Sequence, residues 1–305
     1  MADIDDDLHY SSVVANGLRF RVAVDGPTDG RRLALCLHGF AELGWSWRNQ
    51  LPMLASMGYR AWAPDLRGYG GSERPSSRDD YAIELLMHDI AGLIDASEAE
   101  SVTLLGHGWG GVIAWYVAIN TIRPIDRLII MNAPHPAVAE RGMRAPRQLR
   151  RSWPIALFQL PWLPERVLRR RGARAIARLF SKADGDRTPL PAAEVEPYLT
   201  AATTPGATKA MVDHYRALIR GGGAQRQAQL GFAPVRIPTL MIWGEADRWL
   251  AKELTYGTER HVMDLTIRYL PGVSHWVQQR APETVNTMLR AFLEDHRVPF
   301  PDEIR

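Results

Sequence analysis

The chain has one cysteine, Cys36, so no intrachain disulfide is available to it. That residue sits inside the apolar run Leu33-Ala34-Leu35-Cys36-Leu37 and reads as a buried structural thiol. No stretch approaches the roughly 20 apolar residues that a helix needs to cross a bilayer. Residues 1–9 are acidic and lack an apolar segment, so no secretory signal is expected and a cytoplasmic location is the default. A formal charge of +3 does not by itself call for a nucleic-acid partner. Histidines and aspartates do not gather at ligand spacing, so no metal is expected, and nothing implies an organic cofactor. Internal repeats and low-complexity linkers are missing too. What remains is a chain of 305 residues, 46% apolar, which is enough for one α/β domain with an insertion or two modest domains.

The apolar residues come in short bursts. Val13-Val14-Ala15-Asn16-Gly17-Leu18-Arg19-Phe20 places an Asn-Gly pair between two β-rich runs, the signal for a type I′ hairpin. Six further runs read as strands: Leu33 to Leu37, Tyr59 to Ala63, Ser101 to Leu105, Arg127 to Met131, Thr239 to Trp243 and Leu265 to Leu270. Helical patterns lie between them, at Tyr81 to Ile94, Gly111 to Ile119 and Pro282 to Leu293. Apolar strands alternating with helices imply a mostly parallel sheet covered on both faces, with ligands at the carboxyl ends of its strands. Residues 135 to about 230 break this alternation. They are rich in Arg, Pro and Ala, show helical periodicity, and read as a helical cap inserted into a core formed by 1–134 and 231–305. His296 to Arg305 reads as a surface extension.

The most informative absence is a side chain. Val102-Thr103-Leu104-Leu105-Gly106-His107-Gly108-Trp109-Gly110-Gly111 reads as a buried strand driven through a tight turn into a helix. Such a turn displays an attacking Ser, Asp or Cys at its centre, and here the centre is Gly108. The spacing G-x-G-x-x-G at Gly106, Gly108 and Gly111 also suits a dinucleotide site. That rival fails on context, because no acidic residue ends a following strand where a ribose would need it. Asp247 follows the fifth of the six runs and His275 the sixth, the chain order of an acid and a proton-transferring histidine. Asp247 also reads as a helix N-cap before Leu250. His38-Gly39-Phe40 would offer the Phe40 amide, and the turn the Trp109 amide, as two donors of an oxyanion hole.

Together these residues resemble the epoxide hydrolase branch of the α/β-hydrolase superfamily, over roughly Val13 to Leu293. The resemblance rests on His38-Gly39-Phe40, Trp45-x-Trp47-Arg48, Ala63-Pro64-Asp65-Leu66-Arg67-Gly68-Tyr69-Gly70-Gly71-Ser72, Gly106-His107-x-Trp109-Gly110-Gly111 and Asn132-Ala133-Pro134-His135-Pro136. In the cap it adds Phe158-Gln159-Leu160-Pro161 and His214-Tyr215-Arg216. It implies an eight-stranded, mostly parallel sheet flanked by helices, with an inserted helical cap. It also implies a mechanism in which an aspartate at the turn opens an epoxide to an ester that histidine-activated water hydrolyses, while two cap tyrosines protonate the ring oxygen. By position the aspartate falls on Gly108, one tyrosine on Tyr215 and the other on Pro154. Ala41 replaces the proline usual after His-Gly-Phe. Tyr198, the other cap tyrosine, does not match the missing donor's position.

Three readings are open to such a chain. It acts on a small apolar epoxide or ester through water activated by His275, without a covalent step; it is a ligand-binding homologue that has lost the chemistry; or it is an aspartate enzyme disabled by substitution at 108. The first is the leading expectation, with His275, Asp247 and Tyr215 catalytic, and with His38, His107, Trp153, Pro154 and Phe158 lining the pocket. Its partner would be a small apolar molecule rather than a nucleic acid, and the protein a monomer or homodimer. The cap is basic: five arginines from Arg141 to Arg151 and six from Arg166 to Arg178, the second set interleaved with apolar residues. A solvated face with some arginines paired to sheet-domain carboxylates accounts for this, and contact with an anionic membrane surface is the alternative.

Overall fold

A computed structural model describes residues 8–181 and 190–304. The acidic segment 1–7 lies outside them. Among the described residues eight strands form one sheet in the order β1-β2-β4-β3-β5-β6-β7-β8. They are β1 (His9–Ala15), β2 (Leu18–Asp25), β3 (Arg32–Leu37), β4 (Arg60–Pro64), β5 (Ser101–His107), β6 (Arg127–Met131), β7 (Thr239–Gly244) and β8 (Leu265–Leu270). The Asn-Gly turn joins β1 to β2 antiparallel, and β2 pairs antiparallel with β4. All other neighbours are parallel. Leu33 through Leu37 are fully buried, as expected of a central parallel strand covered on both faces.

The flanking helices are α1 (Leu51–Ser56), α2 (Ile83–Ser97) and α3 (Gly108–Ile119). Between β6 and β7 the described elements are all helical: α4 (Pro136–Gly142), α5 (Pro146–Arg151), α6 (Trp153–Phe158), α7 (Leu163–Ser181), α8 (Ala192–Thr203), α9 (Ala207–Ile219) and α10 (Gly223–Leu230). α11 (Val277–Arg280) and α12 (Pro282–Leu293) follow β8. α7 is interrupted at Arg170–Ala173, where the backbone leaves helical geometry. No described helix is long and apolar enough to cross a membrane.

One expectation is corrected. The helix expected from Tyr81 starts at Ile83, because Ser77 and Asp80 form a capping box that closes a separate short turn at Arg78–Tyr81. The terminal segment runs over the surface, where the Arg268 guanidinium of β8 donates to the Val298 and Pro299 carbonyls and lies 4.2 Å from the Phe300 ring centroid. Arg297 pairs with Glu303 across the final turn.

The turn from β5 into α3 is closely packed against the end of β3. The Gly110 amide donates to the His38 carbonyl at 3.0 Å, so α3 starts against the end of β3. A Cβ at Gly110 would lie 2.3 Å from the Leu37 carbonyl oxygen, a backbone atom that cannot turn aside. Gly110→Ala is therefore expected to destabilise the protein by about 1–3 kcal/mol through overpacking, read as a lowered urea midpoint with unchanged slope. An unshifted midpoint would refute this account of the turn.

Candidate active site

Gly108 sits at φ +51°, the left-handed region that costs an ordinary L-residue energy and that a strand-to-helix reversal here imposes. A side chain at this position would place its first carbon 3.2 Å from His275 Nε2 and 3.5 Å from the Gly39 Cα. Whatever occupies that point is within reach of the imidazole. The structure thus brings position 108 and His275 together across 167 residues of chain, as the strand-end argument requires.

His275 is held at three places. Its Nδ1 lies 2.6 Å from Asp247 Oδ2. Its carbonyl accepts from His107 Nε2 at 2.9 Å. Its ring packs edge-on to the neighbouring Trp276. Asp247 in turn is saturated: Oδ2 accepts from Asn132 Nδ2 at 2.7 Å, and Oδ1 accepts from the Trp249 and Leu250 amides at 2.7 and 2.9 Å. These contacts tie down the bend at 248–250, but no helix starts there: the next helical turn, Lys252–Thr255, is capped at Ala251, so Asp247 is not the helix N-cap expected of it. Burial works against its charge, yet His275 and these donors outweigh burial and hold the carboxyl below its ordinary range. From the inserted helices, Gln148 bonds the Trp249 carbonyl and the Ala251 amide, and Arg151 bonds the Asp247 carbonyl, so α5 grips the loop that carries the acid.

His107 and His38 were expected to line the pocket, and both lie behind it, fully buried. His107 Nδ1 is 2.6 Å from Glu42 Oε2 while its Nε2 faces the His275 carbonyl, so both ring nitrogens meet acceptors. Glu42 and His107 thus form a fully buried hydrogen-bonded pair. Glu42 also accepts from the Gly39 amide at 2.6 Å and from Gln279 at 2.6 Å, and burial, which opposes its charge, is overcome by His107. His38 donates through Nδ1 to the Gly39 carbonyl and accepts the Leu66 amide at Nε2, which fixes the loop after β3. Burial lowers its tendency to protonate. Neither the Phe40 nor the Trp109 amide has a protein acceptor among the described residues.

An aromatic wall faces this centre. Tyr215 of α9 lies 4.6 Å from the Trp109 ring, 5.3 Å from Phe158 and 5.6 Å from Phe40 by centroids. Its hydroxyl has no partner among the described residues, and burial pushes its phenol up, so it keeps its proton at neutral pH. His214 sets the register of that wall. It accepts from Trp109 Nε1 at 3.0 Å and donates to the Arg67 carbonyl at 2.9 Å, and burial pushes it down to about 3.

Trp153 does not join the wall, being 58% exposed at the start of α6, whose other end carries the buried Phe158. Pro154 is half-buried beside it. Tyr198 gives its hydroxyl to Gln279 at 2.8 Å, so it is committed elsewhere. No three metal-ligating side chains converge among the described residues. Sequence reasoning assigned no role to Asn132 and missed Glu42 altogether. Asn132 was marked by its place in the Asn132-Ala133-Pro134-His135-Pro136 motif just after a strand run, and Glu42 only by lying three residues after Gly39, where a carboxylate reaches back to an amide.

Both carboxylates titrate lower in the fold than their ordinary values of 3.8 and 4.5. Their stabilisation is complete above those values and disappears as pH falls through the lower folded ones. Asp247→Asn and Glu42→Gln should therefore cost stability at pH 7 and flatten the acid limb of a urea-midpoint profile below about pH 4. An acid limb unchanged in both variants would contradict the pairing.

Comparison with known proteins places this geometry. Residues 35–272 match the model of the alpha/beta hydrolase fold family. The AB hydrolase superfamily protein YfhM of Bacillus subtilis is 36% identical over 292 residues, covering 95% of this chain and 99% of its own. Epoxide hydrolase 4 of Mus musculus is likewise 36% identical, over 94% of this chain and 79% of its own. The crystal structure of epoxide hydrolase A from Mycobacterium thermoresistibile superposes with a TM-score of 0.81 at 29% identity, over 96% of this chain and 100% of that one.

Proposed function

The chain belongs to the α/β-hydrolase family and has epoxide hydrolases among its relatives, and from that premise we propose that it hydrolyses small apolar epoxides or esters by direct attack of water activated at His275. Gly108 stands where the resemblance puts the attacking aspartate, and the inserted helices act as the cap over the site. The observation that carries this reading is the 3.2 Å between His275 Nε2 and the point where a side chain at 108 would begin, with Nδ1 tied to Asp247 on the far side. A water at that point can hydrogen-bond the imidazole. Gly108 itself has no atom with which to form an ester.

With an epoxide, Nε2 takes a proton from water as its oxygen bonds to a ring carbon. The carbon–oxygen bond breaks, and the electron pair on the ring oxygen receives the Tyr215 phenolic proton. Loss of the imidazolium proton and reprotonation of the phenolate complete the cycle, and the product is a vicinal diol. With an ester, water adds to the carbonyl as Nε2 takes its proton and the Phe40 and Trp109 amides receive the oxyanion; collapse of the adduct breaks the ester C–O bond, and the imidazolium protonates the departing alkoxide, giving a carboxylic acid and an alcohol. Asp247 sets the imidazole tautomer and stabilises the cation formed. Phe40, Phe158 and Trp109 offer an apolar wall, which suits an apolar substrate.

A binding role without turnover is favoured by one specific feature. Pro154 stands where the resemblance puts the second proton donor, so two reactive groups are missing together. Incubation with aryl and alkyl epoxides and esters separates the readings. Under the water mechanism the wild-type protein turns over, and His275→Ala slows it by roughly 10²–10⁴-fold. Turnover untouched by His275→Ala moves the chemistry elsewhere, and tight binding without turnover supports the second reading. Gly108→Asp is the complement, since aspartate tolerates a left-handed backbone. Combined with His275→Ala it should trap an ester of substrate mass on residue 108, visible by mass spectrometry. No adduct would mean that Pro154 or the shape of the cap blocks ring opening.

A further inference from the structure

From Arg141 to Phe180 the chain carries eleven arginines and one acidic residue, Glu165. This segment is thus +10 in a chain whose formal total is +3, so the remainder carries −7. The positive charge of the chain is thus concentrated in this segment.

The structure shows how little of that charge is neutralised. Glu165 is already bonded to Arg216 at 2.5 Å, and Arg147 pairs with Glu253 at 2.7 Å. Arg166, Arg169, Arg170 and Arg174 are exposed and form no ion pair with any described residue. On this face Arg147 thus pairs with a carboxylate outside the inserted helices, and these four arginines lie exposed, as a solvated face with some paired arginines would have them. Between them lie exposed apolar groups: Trp162 at 63% and Val167 at 42%. Trp162, Val167, Arg166, Arg169 and Arg170 line one open surface groove, and the Arg166 guanidinium lies 5.7 Å from the Trp162 ring centroid.

We propose that this groove on α7 is a peripheral docking surface for an anionic lipid bilayer. A phosphate-bearing surface supplies the negative charge that the protein withholds from these guanidiniums. An interfacial layer also takes the exposed indole and the valine beside them, as in basic amphipathic helices that lie on membranes. A polyanion such as RNA would satisfy the guanidiniums and leave Val167 without an apolar counterpart, so the bilayer fits the whole patch better.

The groove also adjoins the site. Phe158, part of the aromatic wall, is four residues before Trp162. Arg216, next to Tyr215, donates to the Phe158 carbonyl at 2.9 Å and the Leu160 carbonyl at 2.5 Å. Docking would bring the cap edge against the phase in which apolar epoxides or esters dissolve. Only that last consequence rests on the proposed reaction.

The test is co-sedimentation of the full chain with vesicles of phosphatidylcholine alone or with about 30% phosphatidylglycerol, in about 0.1 M salt. Binding at least tenfold tighter to the anionic vesicles is expected, and it should be released in about 1 M salt. Each guanidinium near such a surface is worth roughly fivefold. Arg166→Glu, Arg169→Glu and Arg170→Glu combined should therefore weaken binding by about 100-fold or more. Trp162→Ala should weaken it on both vesicle types while keeping the salt dependence. Equal binding to neutral vesicles, no vesicle binding, undiminished binding of the triple variant, or binding to transfer RNA with none to vesicles would each overturn the proposal. Because sedimentation reads no turnover, its failure is distinguishable from failure of the proposed hydrolysis.

Discussion

The candidate site depends on one constraint, an imidazole that cannot rotate. Asp247 holds the His275 ring at Nδ1, and His107 holds its backbone at the carbonyl. Each of those residues is itself fixed by several buried donors or acceptors. The chain invests four elements in this: the loop after β3, the β5–α3 turn, the loop after β7 and the loop after β8. Buried charges persist in such a place only when paired and fully hydrogen-bonded. Asp247 with His275, and Glu42 with His107, meet that condition side by side, their two imidazole centroids 4.8 Å apart. Two carboxylate–imidazole hydrogen bonds thus lie next to one another.

Much of this was legible in the sequence because it follows from chain geometry. Apolar runs of five or six residues fit buried parallel strands, and the residues just after them must meet at the sheet's carboxyl edge. Asp247 and His275 could be chosen on that ground alone, and they lie 2.6 Å apart. What escaped was whatever depends on side-chain direction. His38 and His107 occur in motifs near the site, yet pleat and turn aim both rings into the core. Trp153 begins a helix whose opposite end faces the pocket, and a six-residue helix is too short for periodicity to tell one face from the other. Glu42 had no motif to mark it. Its role comes from contacts with residues 65 and more than 230 positions away, which no local pattern encodes.

The charge distribution has a similar history. Eleven arginines in forty residues are plain in the sequence, but whether they are spent on internal pairs is a matter of folded geometry. Glu165 is drawn inward by Arg216, which leaves the outward face of α7 without its one nearby carboxylate.

His214 carries a consequence for selectivity. By bridging the Trp109 indole and the Arg67 carbonyl, it locks the start of α3 and the middle of α9 into one joint. The phenol of Tyr215 and the amide of Trp109 flank that joint, so the gap between them is a constant of the folded chain and not something a ligand adjusts. The pair works as a calliper with its jaws set. Molecules would be sorted by whether their length spans the opening, and a widened range of ligands would demand loosening the joint rather than enlarging the walls.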